Sequence, residues 1–297
     1  MTRVLALLAA VALIVGAVVV RGVLDDDGST NGGGDQPDHA LRVVCGEEMR
    51  AACDALTAGD YVVLVEPTTT TADRLTDAPA NDPGLDVWVA PSPWPEMVDG
   101  TRERAGLPTL FATQDPLARS LLAAVVPETL GVCSWECLGD RAATDLRIGG
   151  RPLDSGIGLV HLAAFASGRL GTTDFASNDL DSATQGWLRA IAENVDEVTD
   201  PVTRMLLIRA SYDVALSYGA EAENVLAAAS EDRRAGLKVA YPEPMVPIIA
   251  VAAAVEGASV PTELAGGLRA TGWAEALEEP IELPPAGVLT ALLDVIG

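Results

Sequence analysis

Apolar runs and stretches of helical period take turns along most of this chain, and their spacing predicts an α/β fold. Residues 41–45 form a short apolar run that breaks at Gly46 into a helical stretch over 47–56. A second run, 61–65, closes at Pro67, and Thr68, Thr69, Thr70 and Thr71 then open another helical stretch. A third, 85–90, ends at Pro91, Ser92 and Pro93. Strand–turn–helix units at this spacing predict a parallel sheet with right-handed crossovers. A longer apolar run, 120–126, ends at Pro127, after which the alternation restarts. A strand is predicted over 145–148, a loop over 149–154, and a helix opening near Ser155 with Leu159, Leu162, Phe165 and Ala166 on one face. Further helices are predicted over 182–194, 201–210, 221–229, 263–277 and 287–295. Strands are predicted over 213–216 and 237–240, and an apolar run covers 245–255. The two long runs are where the chain would cross between lobes. Residues 41–115 plus 241–297 would make lobe 1, and 116–240 lobe 2, with one large open sheet as the alternative.

Ahead of this pattern, residues 4–20 carry no charged or polar side chain, and Arg3 and Arg21 bracket them. A helix of about 17 residues at ~1.5 Å each spans ~25 Å, slightly short of a ~30 Å hydrocarbon core. Arg21 can snorkel, and residues 22–24 add a turn. Residues 1–24 are therefore expected to be an N-terminal transmembrane anchor with its positive end cytoplasmic, followed by a flexible acidic, glycine-rich linker over 25–40. A cleaved signal peptide is the alternative, against which stand the long apolar run and the lack of a small-x-small site before the acidic residues. No cysteine follows the run, as a lipid anchor would require. Both outcomes place the remaining chain on the extracytoplasmic side, single-pass at the cell membrane or secreted.

Charge and cysteines fit that address. The chain has 43 Asp plus Glu against 19 Lys plus Arg, a net charge of −24, which argues against a nucleic-acid partner. The four cysteines fall as close pairs, Cys45/Cys53 and Cys133/Cys137. Outside the cytoplasm such pairs predict disulfides, and the local connectivity is expected. Cys133 and Cys137 lie one helical turn apart, within disulfide reach. Zinc is disfavoured because the chain's 2 histidines are His39, in the linker, and His161, inside a helical pattern.

Several segments resemble a known family. Leu41-Arg-Val-Val-Cys-Gly46 resembles the opening strand of the extracellular solute-binding proteins with the type 2 periplasmic-binding fold. Leu85-Asp-Val-Trp-Val-Ala-Pro-Ser92 is similar to that family's third strand and cleft-lining turn, and Asp154-Ser-Gly-Ile-Gly158 to the helix start that faces ligand from the second lobe. Leu237-Lys-Val-Ala-Tyr-Pro-Glu-Pro244 resembles the return to the first lobe, and Leu268-Arg-Ala-Thr-Gly-Trp273 a late helix with its cap. The set resembles the membrane-anchored substrate-binding-like domains of actinobacteria. The resemblance implies two α/β lobes, two crossing segments, and a ligand held in the cleft between them. It also implies an ABC-type permease or another envelope protein as partner, although the lipidated cysteine usual in transporter-linked Gram-positive members is missing here.

Candidate ligand residues sit at strand ends and helix starts, where open parallel sheets hold ligands. Gly46 and Glu47 follow the first strand: the glycine exposes backbone N–H groups and the carboxylate suits an amine or cation. The bland account is a tight turn with acids favoured at the helix dipole, and it is the stronger one for Glu48. In the threonine row one residue must cap the helix, but a cap does not need four hydroxyls, so Thr69 and Thr70 are assigned to an anionic group. Ser92 lies between two prolines with its hydroxyl toward the cleft, beside Trp94, for which plain packing suffices. Ser155 and Gly156 open the helix that carries His161, and either cap it or donate to ligand; His161 packs or caps locally. Tyr212 begins the segment after the 201–210 helix and faces ligand or buries its ring.

The sequence thus predicts non-catalytic capture of a small polar ligand, with no cofactor, metal ligand or catalytic residue implied. A scaffold module of the envelope that keeps the fold without a ligand is the alternative. A hydrolase ranks lower, because no spacing selects a carboxylate pair. Glu47, Glu66 and Asp154 near the turns discourage a highly charged anion, and the threonine row encourages one.

Overall fold

The first three strands are parallel: β1 (Leu41–Gly46) lies between β2 (Tyr61–Glu66) and β3 (Val87–Pro91). Each is followed by a helix: α1 (Arg50–Cys53), α2 (Thr68–Thr76) and α3 (Trp94–Arg104). The computed structural model describes residues 40–56, 60–131, 133–142, 144–277 and 282–297, and residues 40–297 form one compact unit. The expected anchor over 1–24 and nearly all of the 25–40 linker lie outside the described residues. Among the described residues no helix is long and apolar enough to cross a membrane.

The next strand, β4, runs from Phe111 to Pro127, 17 residues. Then come α4 (Trp135–Ala142), β5 (Ile148–Gly150), α5 (Gly156–Leu170), α6 (Ser182–Asn194) and β6 (Val195–Glu197). They are followed by α7 (Pro201–Leu207), β7 (Val214–Tyr218), α8 (Gly219–Ala228), α9 (Glu231–Arg234) and β8 (Leu237–Ala240). The chain closes with β9 (Pro247–Val255), α10 (Glu263–Ala270) and α11 (Ala286–Ile296). Strand pairing follows the order β2-β1-β3-β9-β4-β7-β5-β6, with β8 also on β4. Residues 111–121 of β4 pair antiparallel with β9, and residues 122–127 pair with β7 and β8. One strand therefore joins two groups of strands.

Local sequence explains most of these elements. β3 is buried along its whole length, as a central strand covered on both faces must be, and its run Val-Trp-Val-Ala-Pro is continuously apolar. In α2 the buried positions are Thr68, Thr71, Ala72 and Leu75, the i, i+3, i+4, i+7 stripe of one helix face. α5 is buried on almost every side. It starts at Ser155, whose Oγ accepts from the Gly158 N–H at 3.2 Å, and stops at Gly171, whose φ of 69° only glycine adopts freely.

Two strands differ from the apolar pattern. The first half of β4 carries Gln114, Asp115 and Pro116 and is half-exposed, so no apolar run marks it. Its register shifts between Pro116 and Ala118, an irregularity of the kind where a strand tolerates proline. β5 sits three residues beyond the predicted start, and two of its 3 residues are glycine: Gly149 leaves room for the Tyr212 ring, and Gly150 lies against Val195 and Leu216. A strand whose surface comes from its neighbours' side chains leaves no hydrophobic signature of its own.

The core is one large cluster around Trp88, Trp135 and Phe165, plus a small one of Val125, Val202, Met205, Leu206, Tyr212, Ala215, Ala222 and Leu237. Arg102 is 1 % exposed and donates to the carbonyls of Leu75, Thr76, Ala78 and Pro108, which ties off the C-terminal end of α2. Both expected disulfides are present, Cys45–Cys53 with Cα atoms 6.2 Å apart and Cys133–Cys137 at 5.4 Å. At the sheet edge, β2 leaves Val62, Val63 and Leu64 exposed at 58 %, 41 % and 48 %.

Candidate functional site

The closing ends of β1, β3, β5 and β7 and the opening ends of α2, α3, α5 and α8 supply one group of interacting side chains. Its centre is Glu48, in the short 3-10 turn Glu47–Met49 that follows β1. Glu48 Oε2 accepts from the Thr68 hydroxyl at 3.0 Å, at the first residue of α2. Its Oε1 accepts from the backbone N–H of Ile157 at 3.2 Å, in the first turn of α5. A carboxylate supplied from far back in the chain thus occupies a helix N-terminus, where unpaired N–H groups and the helix dipole both favour negative charge. Trp94, at the start of α3, donates its indole N–H to the Gly156 carbonyl at 3.0 Å in a buried contact. A Cβ on Gly46 would collide with the Thr68 hydroxyl, whereas one on Gly156 would meet the Glu48 carboxylate, the far end of a flexible side chain.

Beside this contact lies a second charged pair. Arg151, just past β5, donates to both oxygens of Glu221, in the first turn of α8, at 3.0 and 2.6 Å. The side chains are only 14 % and 17 % exposed. The Ser217 hydroxyl donates to the same carboxylate at 2.5 Å. Burial pushes the Arg151 pKa down, but the charge and hydrogen bonds of Glu221 outweigh it, so the net shift is upward, and Glu48 adds to that field. Tyr218, the last residue of β7, packs its ring 5.1 Å from Trp273 and is 8 % exposed. Burial, and then the charge of Glu221, raise its phenol pKa, so the hydroxyl stays protonated. Among the described residues that hydroxyl has no hydrogen-bond partner.

His161 lies behind the pair, buried on α5. Its Nε2 is 3.0 Å from the Ser217 carbonyl, which can only accept, so Nε2 carries the proton. Burial pushes its pKa down to about 4, and the ring is neutral at pH 7. Among the described residues no group of three or more His, Cys, Asp or Glu side chains is placed to hold a metal ion.

Of the residues singled out from sequence, Gly46, Ser155 and Gly156 lie at this junction. Ser155 is engaged as the cap of α5. Glu47 and Thr70 are exposed and Thr69 is half-buried, while their neighbours Glu48 and Thr68 make the contacts. Ser92 is half-buried, gives its backbone N–H to the Ile249 carbonyl at 2.7 Å, and lines a different pocket of about 480 Å³ with Pro93, Glu96 and Arg119. Tyr212 lies in the small apolar cluster at the opening end of β7, against Gly149, with Tyr218 at the closing end. Sequence reasoning did not pick out Thr68, Arg151, Glu221 or Tyr218. The stripe of Ala72 and Leu75, continued back one turn, selects Thr68 and Thr71 among the threonines, and the strand-end rule selects Tyr218 over Tyr212.

No protein-family model matches the sequence, and no characterised protein matches it either. Solved structures do. A periplasmic thiamin binding protein superposes with a TM-score of 0.56 over 91 % of this chain and 100 % of its own, at 14 % identity. The chain has the fold of the periplasmic binding proteins. Apo FutA2 from Synechocystis gives 0.54 over 86 % and 96 % at 12 % identity. The Trichodesmium FutA (IdiA) in complex with iron and citrate gives 0.53 over 87 % and 97 %, also at 12 %. At these identities the likeness speaks for the fold, which fits the junction: in this architecture strand ends and helix starts from both strand groups meet at one place.

Proposed function

We propose that the chain is an extracytoplasmic solute-binding protein that captures a small polar ligand where β1, α2 and α3 meet α5, β5 and β7. Residues 4–20 serve as its membrane anchor, and a permease or another envelope protein is its partner. The observation that carries this is the convergence of Glu48, Thr68 and Trp94 on the first turn of α5. Polar groups 109 and 62 residues away in the sequence meet there on a helix N-terminus. The division into lobes 41–115 plus 241–297 and 116–240 is supported by the handover on β4 from β9 to β7 and β8. Closure would then gain affinity from groups on both sides. Gly46, Ser155 and Gly156 shape the ligand's surroundings, with Glu47, Thr69, Thr70, Ser92 and Tyr212 as outer positions.

A thermal-shift screen against amino acids, small oxyanions, sugars and divalent metals tests this. Ligand at a hundred times its Kd adds about 2.7 kcal/mol, a rise of about 5–10 °C for a domain of this size. Thr68→Val keeps the shape, removes the hydroxyl, and should shrink that rise. The second reading, an envelope scaffold without a ligand, is favoured by one observation: Glu48 and Thr68 already satisfy each other and the start of α5. A flat screen with an intact fold would select it.

A further inference from the structure

We infer that the end of α7 is a docking surface for an anionic phospholipid bilayer: Leu207 and Ile208 enter the headgroup boundary while Arg204, Arg209 and Arg233 meet lipid phosphates. The inference rests on the anchoring part of the reading above and adds the face that the tethered domain turns to the membrane. Leu207 and Ile208 are consecutive, and they are 60 % and 50 % exposed. The Ile208 N–H donates to the Arg204 carbonyl and the Ser211 N–H to the Ile208 carbonyl, both at 2.9 Å, so the tip is a preformed turn. Beside it, between α7 and α8, runs an open groove of about 590 Å³ lined by Leu206, Leu207, Val225, Ala228, Ala229 and Arg233. Continuous aliphatic surface of this kind, facing solvent, marks an interaction site.

The charges around the tip select the partner. Arg204, Arg209 and Arg233 are exposed, and none of them forms an ion pair among the described residues. The Arg209 guanidinium donates to the carbonyls of Arg233 and Ala235, which holds α9 against the tip. Three such cations stand together in a chain with 43 acids and 19 bases. Of the acids nearby, Glu231 lines the neighbouring groove with Glu128 and Glu223, and Asp200 lies at the opposite end of α7, which leaves Asp232 beside Arg233. The other aliphatic patch, Val62 to Leu64, lies between Asp60 and Glu66 and has the wrong sign for anionic lipid. An aliphatic tip ringed by arginine is the composition that settles into a headgroup layer. The net charge of −24 does not prevent this, because at physiological ionic strength a charge is felt over only ~8 Å. The linker over 25–40 supplies the reach: at ~3.4 Å per residue it spans ~50 Å when extended. A tether of that length keeps the tip at high effective concentration beside the bilayer.

The test uses the full chain reconstituted into vesicles of phosphatidylcholine alone or mixed with phosphatidylglycerol, with bromine on the acyl chains. Leu207→Trp is the reporter, read as the fluorescence quenching beyond that of the unsubstituted chain. Quenching is expected with phosphatidylglycerol and not without it, and molar salt should abolish it. Arg204→Gln/Arg233→Gln, which leaves the Arg209 contacts in place, should lower the docked-to-free ratio roughly 25-fold, about fivefold per arginine. Unchanged far-ultraviolet circular dichroism and melting confirm that the variants fold. Equal quenching in both kinds of vesicle would mean insertion without a charge requirement and would overturn the anionic assignment. A reporter emission that shifts with protein concentration instead would mean that a second copy covers the tip, which overturns the inference too. Resistance to an alkaline carbonate wash reports on the anchor separately. A retained but unquenched chain refutes docking while the anchored reading stands; a chain washed off refutes the anchor and the inference together.

Discussion

Glu221→Ala gives the sharpest test of the electrostatics at the junction. Glu221 receives two hydrogen bonds from Arg151, at 3.0 and 2.6 Å, and one from Ser217 at 2.5 Å. With the side chains only 14 % and 17 % exposed, solvent screens the pair little. Removing one partner leaves the other charge buried and unpaired, which typically costs about 3–5 kcal/mol. The lower end applies, because the Glu48 charge still reaches Arg151. About 3 kcal/mol corresponds to a fall in Tm of about 6–12 °C for a domain of this size. Urea unfolding at pH 7, with the slope checked for two-state behaviour, measures it directly. The double variant Arg151→Met/Glu221→Leu should recover most of the loss, since exchanging a buried pair for apolar side chains of similar size is often close to neutral. A loss below about 1 kcal/mol for Glu221→Ala would mean that water reaches the pair and that it behaves as a surface ion pair. A double variant as unstable as the single one would show that packing, not charge, sets the cost.

The other expectations concern stability as well. His161 has its folded pKa pushed down to about 4 against an ordinary 6.5, so the unfolded chain binds the extra proton first as pH falls. Its contribution is complete above about pH 6.5 and is lost toward pH 4, amounting to about 2 kcal/mol by pH 5. Urea titrations at pH 7 and pH 5 should show that difference shrinking in His161→Gln; an identical slope would mean that other groups titrate there. Replacing both members of Cys45–Cys53 by alanine should cost about 2.5 kcal/mol, and of Cys133–Cys137 about 2 kcal/mol, because the second closes the shorter loop. Equal stability of reduced and oxidised protein would refute both figures.

How far the sequence speaks depends on range. Short-range signals were legible: the β1–β3 apolar runs, the Ser155 cap, and the cysteine pairs 8 and 4 residues apart all act within a turn or two. The strand over 237–240 and the helix over 182–194 match their predicted bounds for the same reason. Signals borrowed from neighbours were not legible. β5 is held by side chains that pack over its glycines, and the first half of β4 by its ladder to β9. At the site, Glu48 looked like an acid placed for its own helix dipole, and its partner Ile157 lies 109 residues on. No local pattern encodes that meeting. The threonine row was the intermediate case: its hydroxyls were visible, but which of them turn inward follows from helix phase, set by Ala72 and Leu75.

Among the described residues no strand pairs with the outer edge of β2, and this has a consequence for how these molecules tolerate one another. Val62, Val63 and Leu64 face solvent on an end strand, with no lysine or proline among residues 61–66 to blunt it. What discourages edge-to-edge stacking is then mutual repulsion, each chain carrying −24. That barrier is colloidal, and it depends on the buffer. At physiological ionic strength the field persists for ~8 Å, and in molar salt for ~3 Å. Concentrated salt therefore removes the protection without touching the fold, and sheets that share no evolved interface can join through their backbones.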